Sequence, residues 1–146
     1  MEPLHRLVYH SLNRIKGSAD DVDRALRDIL SAARRNNPRL GVTGALMFNA
    51  SCFIQVLEGP RVALDQLFQP IRRDQRHENV SLLTFEPTAE RRFDQWSMAF
   101  VGARDSGGRL TAIALESGYD PSRMSGEATA GFLRGLMLSQ ERALAR

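Results

Sequence analysis

Two spacings of apolar residues divide the chain. Val22, Leu26, Ile29, Leu30 and Ala33 recur at helical spacing, with Arg24, Asp28, Arg34 and Arg35 away from that stripe, so the pattern predicts an amphipathic helix. Ser18 followed by Asp21 supplies its start signal. Asn36-Asn37-Pro38 supplies its stop, because a residue before proline disfavours the α region. A second helix follows from Leu64, Leu67, Phe68 and Ile71, opened by Pro60 at its first position. Pro70 falls inside it, removes a backbone donor and is expected to kink the last turn. Elsewhere the spacing is that of strands. Residues 4–10 place Leu7 and Tyr9 on one face and Arg6, Val8 and His10 on the other, and 11–17 read as loop. Residues 42–48 and 52–57 form a hairpin turning at Asn49-Ala50-Ser51 and ending at Glu58-Gly59-Pro60. Residues 80–85 and 93–101 complete the strands, joined by a polar connection.

The order is strand, helix, strand, strand, helix, strand, strand. It predicts an α+β domain on the ferredoxin-like βαββαββ plan, with both helices on one face of the sheet. The other face needs cover, which residues 102–146 are expected to supply as a helical extension. Within them, 102–108 read as a flexible exit, 110–116 as a short helix and 118–122 as a turn. Ser125 is placed to cap a final helix with Phe132, Leu133, Leu136, Met137 and Leu144 on its apolar side.

Composition narrows the function classes. The 146 residues are enough for one domain with a proper core. A net charge of +3 is too weak a basic balance to argue for a nucleic-acid partner. Cys52 is the single cysteine, so no internal disulfide forms, which suits a reducing compartment. With no apolar leader and no run of membrane-spanning length, a cytoplasmic protein is expected. His5, His10 and His77 lack a metal-ligand spacing, and Cys52 has no evident base partner. GxGxxG, P-loop, CxxC and HExxH motifs are all absent, so catalysis is not expected.

Polar residues set in apolar runs carry more information. Gln55 interrupts Phe53-Ile54-Gln55-Val56-Leu57, and a buried amide needs partners for both its ends. Tyr9 and Gln55 could lie side by side on the helix-covered face, either as satisfied core residues or as a hydrogen-bond relay to a ligand. Asn37 reads as a helix C-cap or as a third relay amide. Arg72, Arg73, Arg76 and His77 read as a solvated helix end or as a phosphate-holding patch. Trp96 and Met98 alternate onto one face of the last strand, where core packing is the first explanation.

Taken together, Leu7-Val8-Tyr9-His10-Ser11, Asn36-Asn37 with Gly41-Val42-Thr43-Gly44, and Phe53-Ile54-Gln55-Val56-Leu57-Glu58-Gly59 form an ordered set. It continues with Arg73-Asp74-Gln75-Arg76-His77 and Arg91-Arg92-Phe93-Asp94-Gln95-Trp96-Ser97-Met98. This set, over about residues 4–101, resembles the BLUF domain, a flavin-binding blue-light sensor. The resemblance implies non-covalent FAD, with FMN or riboflavin accepted, its ring lying between the two helices. It implies that Tyr9 donates an electron and a proton to the excited flavin. Gln55 then stands between that phenol and the flavin N5 and C4 carbonyl, and its reoriented or tautomerised amide stores the signal. Asn37 matches the contact to the ring's C2/C4 carbonyl region, and Asp74, Arg76 and His77 match contacts to the flavin side chain and phosphates. Trp96 and Met98 match a last-strand pair that shifts beside the relay. The turn Asn49-Ala50-Ser51 and Pro70 depart from the family pattern without removing a relay residue.

Residues 102–146 are too few for an attached cyclase or phosphodiesterase domain, so output is expected through an unidentified downstream protein or a homo-oligomer. The alternative is a cofactor-free ferredoxin-like module binding RNA or protein, motivated by the arginines and the basic pI. A small flavin-dependent oxidoreductase would lack any dinucleotide fingerprint for its reductant.

Overall fold

Alternate residues of the central strands point to opposite faces of the sheet, both faces are mostly apolar, and each finds its own helical cover. The structure, a computed structural model, describes residues 3–114 and 123–144. Strands β1 (Leu4–Asn13), β2 (Thr43–Phe48), β3 (Cys52–Pro60), β4 (His77–Pro87) and β5 (Ala99–Val101) form one sheet in the order β4-β1-β3-β2-β5. The first four are antiparallel, and β5 runs parallel to β2. Helices α1 (Ala19–Leu40) and α2 (Arg61–Arg73) cover one face. There Leu7, Tyr9, Leu46 and Leu57 pack with Leu26 and Leu30 of α1 and with Leu64 and Phe68 of α2. Val8, Met47, Ile54 and Val56 point the other way, against Ala130, Leu133 and Met137 of α3 (Gly126–Leu144). Each such fully buried aliphatic side chain contributes about 1.5–3 kcal/mol. The α+β, ferredoxin-like architecture is as the pattern predicts.

The starts of α1 and α3 are where sequence signals say. Ser18 and Asp21 form a reciprocal capping box on α1, and the Ala128 N–H donates to Ser125 Oγ at 3.1 Å to cap α3. Helix ends are not. Asn36-Asn37-Pro38 does not stop α1, which runs on to Leu40 and ends at Gly41 in the left-handed conformation, φ 69°. Pro38 lacks the N–H that would reach back to the Arg34 carbonyl, but the helix closes just beyond it, where the Gly41 and Val42 N–H groups donate to the carbonyls of Pro38 and Asn37 at 3.3 and 2.9 Å. Pro60 ends β3 and stands as the N-cap of α2 rather than its first residue, and α2 continues through Pro70 to Arg73. The 11–17 loop is shorter than expected, since β1 extends to Asn13 by pairing with β4.

Two larger corrections lie near the C-terminus. Residues 93–101 are not one strand: only Ala99–Val101 pairs, with β2. Residues 93–98 are irregular because their backbone groups are bonded by side chains and by single residues of α1 and β2, as described below. Nor do residues 110–114, the described part of the helix expected over 110–116, form a helix. Leu110–Thr111 forms β7, pairing with β6 (Ala103–Arg104) in a hairpin. Asp105 drives this turn, its Oδ1 accepting from the Gly107 and Arg109 N–H groups at 3.0 Å each, while Gly108 takes φ 80°. The hairpin docks on α1, with the Leu110 N–H donating to Asp23 Oδ1 at 2.7 Å. Residues 115–122, including the predicted turn at 118–122, and the Leu144 side chain lie outside the described residues.

One strand contact leaves no room for a side chain. A Cβ on Gly44 of β2 would sit 2.0 Å from the Val56 carbonyl oxygen of β3. Gly44→Ala is therefore expected to destabilise the domain by about 3 kcal/mol. Urea denaturation checks this; a midpoint equal to wild type would show that the hairpin can open at that register.

Candidate functional site

The sheet register sets the site. Tyr9 of β1 and Gln55 of β3 are directly paired residues, so both side chains rise on the face covered by α1 and α2. Above them lies a cleft of about 260 Å³ between the two helices. Ile29, Ala32 and Ala33 of α1 and Leu67, Pro70 and Ile71 of α2 give it apolar walls. Tyr9, Gln55, Asn37, Asp74, Arg76 and His77, the six residues expected to bind a cofactor, all line it.

The Tyr9 hydroxyl donates to Gln55 Oε1 at 2.6 Å, a short bond in a buried setting. Gln55 Nε2 in turn donates to Met98 Sδ at 3.6 Å. The amide is thus held firmly at its carbonyl end and softly at its NH2 end, since a thioether is a weak acceptor. Burial pushes the Tyr9 phenol pKa well above its ordinary value, and the Asp74 carboxylate adds to the effect. The phenolic proton therefore stays on oxygen at any ordinary pH.

The neighbours of this pair are more constrained than sequence spacing suggests. Both ring nitrogens of His77 are engaged: Nε2 with the Ile71 carbonyl at 2.5 Å and Nδ1 with Ser11 Oγ at 2.8 Å. A carbonyl only accepts, so Nε2 carries a proton, and in the neutral ring Nδ1 accepts from the Ser11 hydroxyl. The ring stands edge-on to Tyr9 and Phe53, with centroids 6.0 and 5.7 Å away, and lines the cleft beside them. Arg76 Nε bonds both Asp74 oxygens, at 2.9 and 3.0 Å. Beyond it a groove of about 600 Å³ opens, lined by Arg73 and Arg76, and Arg73 makes no ion pair among the described residues. Asn37 is buried, and its Nδ2 donates to the Ser97 carbonyl at 2.8 Å.

Met98 and Trp96 part company. Residues 93–98 being irregular, the two do not share a strand face. Met98 packs in the cluster of Tyr9, while Trp96 packs in the cluster beneath α3. Sequence reasoning missed Ser11 and also a buried carboxylate on the α3 side. Glu58 is fully buried and accepts from Arg6 Nε and the Phe93 N–H, both at 2.8 Å, and from the Arg92 N–H at 2.9 Å. An acid at an inward position of an apolar strand was the available signal; stripping one partner from such a group costs about 3–5 kcal/mol.

The family model for sensors of blue-light using FAD matches residues 4–99. The chain belongs to the BLUF family. The family is one of blue-light sensors that use FAD, and a cofactor-free binding module is not favoured. Among curated proteins, the blue light- and temperature-regulated antirepressor BluF of Escherichia coli is 34% identical over 101 residues, which are 69% of this chain and 24% of that protein. The photoactivated adenylate cyclase subunit beta of Euglena longa is 36% identical over 50% of this chain and 9% of its own length. The chain thus spans about a quarter or less of these two relatives. Among solved structures, the photo-activated state of BlsA matches with a TM-score of 0.75 and 31% identity, covering 92% of this chain and 95% of BlsA.

The cleft fits what BLUF domains bind. Its apolar walls suit the faces of a flat ring system, the Gln55 and Asn37 amides suit a polar ring edge, and the arginine-lined groove suits phosphates.

Asp74 supplies a test of the mouth of the cleft. The Arg76 side chain bonded to Asp74 holds its carboxyl below the usual carboxylate range, against some desolvation, with the Arg76 N–H and the charges of Arg76 and His77 adding to the effect. A carboxyl depressed in the folded state stabilises fully above its unfolded value, and the contribution is lost as pH falls through the folded value. Asp74→Asn is therefore expected to shrink the drop in thermal midpoint between about pH 6 and about pH 3. Parallel pH curves for the two proteins would show that Asp74–Arg76 adds nothing to the fold.

Proposed function

We propose that the chain binds FAD, with the ring in the cleft between α1 and α2 and the phosphates toward Arg73 and Arg76, and that Tyr9, Gln55 and Met98 form the relay that stores the light signal. The observation that carries this reading is the 2.6 Å bond from Tyr9 to Gln55 inside the cleft, continued to Met98 at 3.6 Å. Bound flavin supplies a chromophore that becomes a strong oxidant of a phenol when excited by blue light. The chain's residues do the rest. Tyr9 would keep its proton until its electron is drawn; the bond to Gln55 would then carry the proton into the amide, which takes it on Oε1 and releases one from Nε2 toward the bound ring. Rotation of the Gln55 amide exchanges a donor for an acceptor at one point in space. The two orientations are a bistable element whose populations light biases.

Asn37 holds the polar ring edge. Asp74 orients Arg76 toward the phosphate groove, and His77 lines the cleft beside Tyr9. Trp96 would enter the relay only after residues 93–98 rearrange, because it packs on the opposite side of the sheet. Output passes through residues 102–146 to a downstream protein or a second copy of the chain, without catalysis by the domain itself. Among the described residues no helix is long and apolar enough to cross a membrane, in keeping with a cytoplasmic sensor.

Purified protein is expected to be yellow and to show a reversible red shift of its flavin spectrum after blue light. Tyr9→Phe is expected to retain flavin and lose the lasting shift. Absorption spectra before and after illumination check both. Colourless protein that takes up no added flavin would overturn the reading, and a full, stable shift in Tyr9→Phe would overturn the role of the phenol.

A further inference from the structure

The soft link of the relay is the Gln55 Nε2–Met98 Sδ contact, and its geometry depends on where the Met98 backbone sits. Met98 lies one residue before β5, whose ladder with β2 begins at Ala99, so sheet pairing does not place it. Three successive carbonyls do. Trp96 O accepts from the Gly44 N–H at 3.0 Å, Ser97 O from Asn37 Nδ2 at 2.8 Å, and Met98 O from Arg34 Nε at 3.0 Å. Arg34 and Asn37 are one turn apart on α1, so the helix grips two adjacent carbonyls from one face.

The gripped segment borders a pocket of about 320 Å³ that has Arg34 on one wall and Met137 and Gln140 of α3 on another. Met98 is buried beside Tyr9, so its backbone takes its position from these three bonds together with the packing of its own side chain. Of the three donors, Asn37 lines the cleft and Gly44 belongs to the sheet. Arg34 lines neither the cleft nor the core and is an exposed residue of α1.

We propose that Arg34 is a positioning residue of the relay: by holding the Met98 carbonyl it sets the thioether against the Gln55 amide and favours the orientation in which Gln55 Oε1 accepts from Tyr9. This rests on the relay reading above. Loss of the Arg34 donor weakens that orientation, so the return from the lit state slows. The guanidinium acts through the backbone and touches neither cofactor nor reacting atoms.

The test uses the full chain with flavin bound. Arg34→Met keeps the unbranched stem out to about the position of Nε and removes the donor; it is expected to leave flavin uptake unchanged and slow dark recovery by about two- to tenfold, the worth of one hydrogen bond. Arg34→Lys restores a donor and is expected to return recovery toward wild type. In Met98→Leu protein, which has no sulfur acceptor, Arg34→Met is expected to change recovery no further. A second readout needs no light. With methyl-labelled methionine, Arg34→Met is expected to shift or broaden the Met98 resonance and leave that of Met47, buried on the α3 side, in place.

Recovery and Met98 resonance both unchanged in Arg34→Met, with the light-induced shift intact in wild type, would overturn the proposal and leave the relay reading standing. A lowered thermal midpoint with an unmoved Met98 resonance would make Arg34 a structural residue only, and overturns it too. Wild-type protein lacking any light-induced shift would overturn the relay reading and this proposal with it.

Discussion

A buried primary amide has to satisfy an acceptor and two donors, and that demand on Gln55 governs this structure. The β1–β3 register brings the Tyr9 hydroxyl to its oxygen, and the approach of Met98 brings a sulfur to its nitrogen. The first partner is strong and fixed by a sheet. The second is weak and fixed by a segment outside any ladder. An amide held so unequally can turn over without unfolding what surrounds it. That asymmetry suits a sensor, whose two states must lie close in energy while the scaffold stays put.

The sheet also works as a partition. On the side of α1 and α2 stand the relay and the cleft; on the side of α3 stand Trp96, the Glu58–Arg6 pair and the anchoring Phe93. Residues 93–98 are the stretch that visits both sides, with Phe93 fastened to Glu58 at one end and Met98 set against Gln55 at the other. A change at the amide therefore has a short covalent route to the face that α3 covers.

Most of the scaffold was legible because it rests on local, repeated signals. The stripe from Val22 to Ala33, the Ser18–Asp21 box and the alternation around Tyr9 and Gln55 each report their own burial. What the sequence concealed depends on long-range partners. Pro38 looks like a stop until Gly41 satisfies the carbonyls behind it. Residues 93–98 alternate like a strand, but their carbonyls go to Arg34, Asn37 and Gly44, choices that no window of neighbours displays. Leu110 and Thr111 carry no hairpin partner in their own run, and the turn chemistry of Asp105 is what decides. Of the site, the presence of Tyr9, Asn37, Gln55, Asp74, Arg76 and His77 in one cleft was readable through their ordered company. The engagement of both His77 nitrogens by Ser11 and Ile71 was not, because one partner is a main-chain oxygen.

The hairpin of β6 and β7 bears on how such a sensor could be rewired. Leu110 is 2% exposed and belongs to the same apolar cluster as Leu26 and Leu30, while Asp23 and Asp20 of α1 hold the hairpin through the Leu110 N–H and Arg109. The flank of the core beneath α1 and α2 is thus sealed by residues that come after the last strand of the sheet. An engineer splicing this light-sensing unit onto a foreign effector would do well to place the junction beyond Ile113, whose N–H donates to the Phe48 carbonyl at 2.9 Å. A graft made directly after β5 would carry away the seal and expose the core it closes.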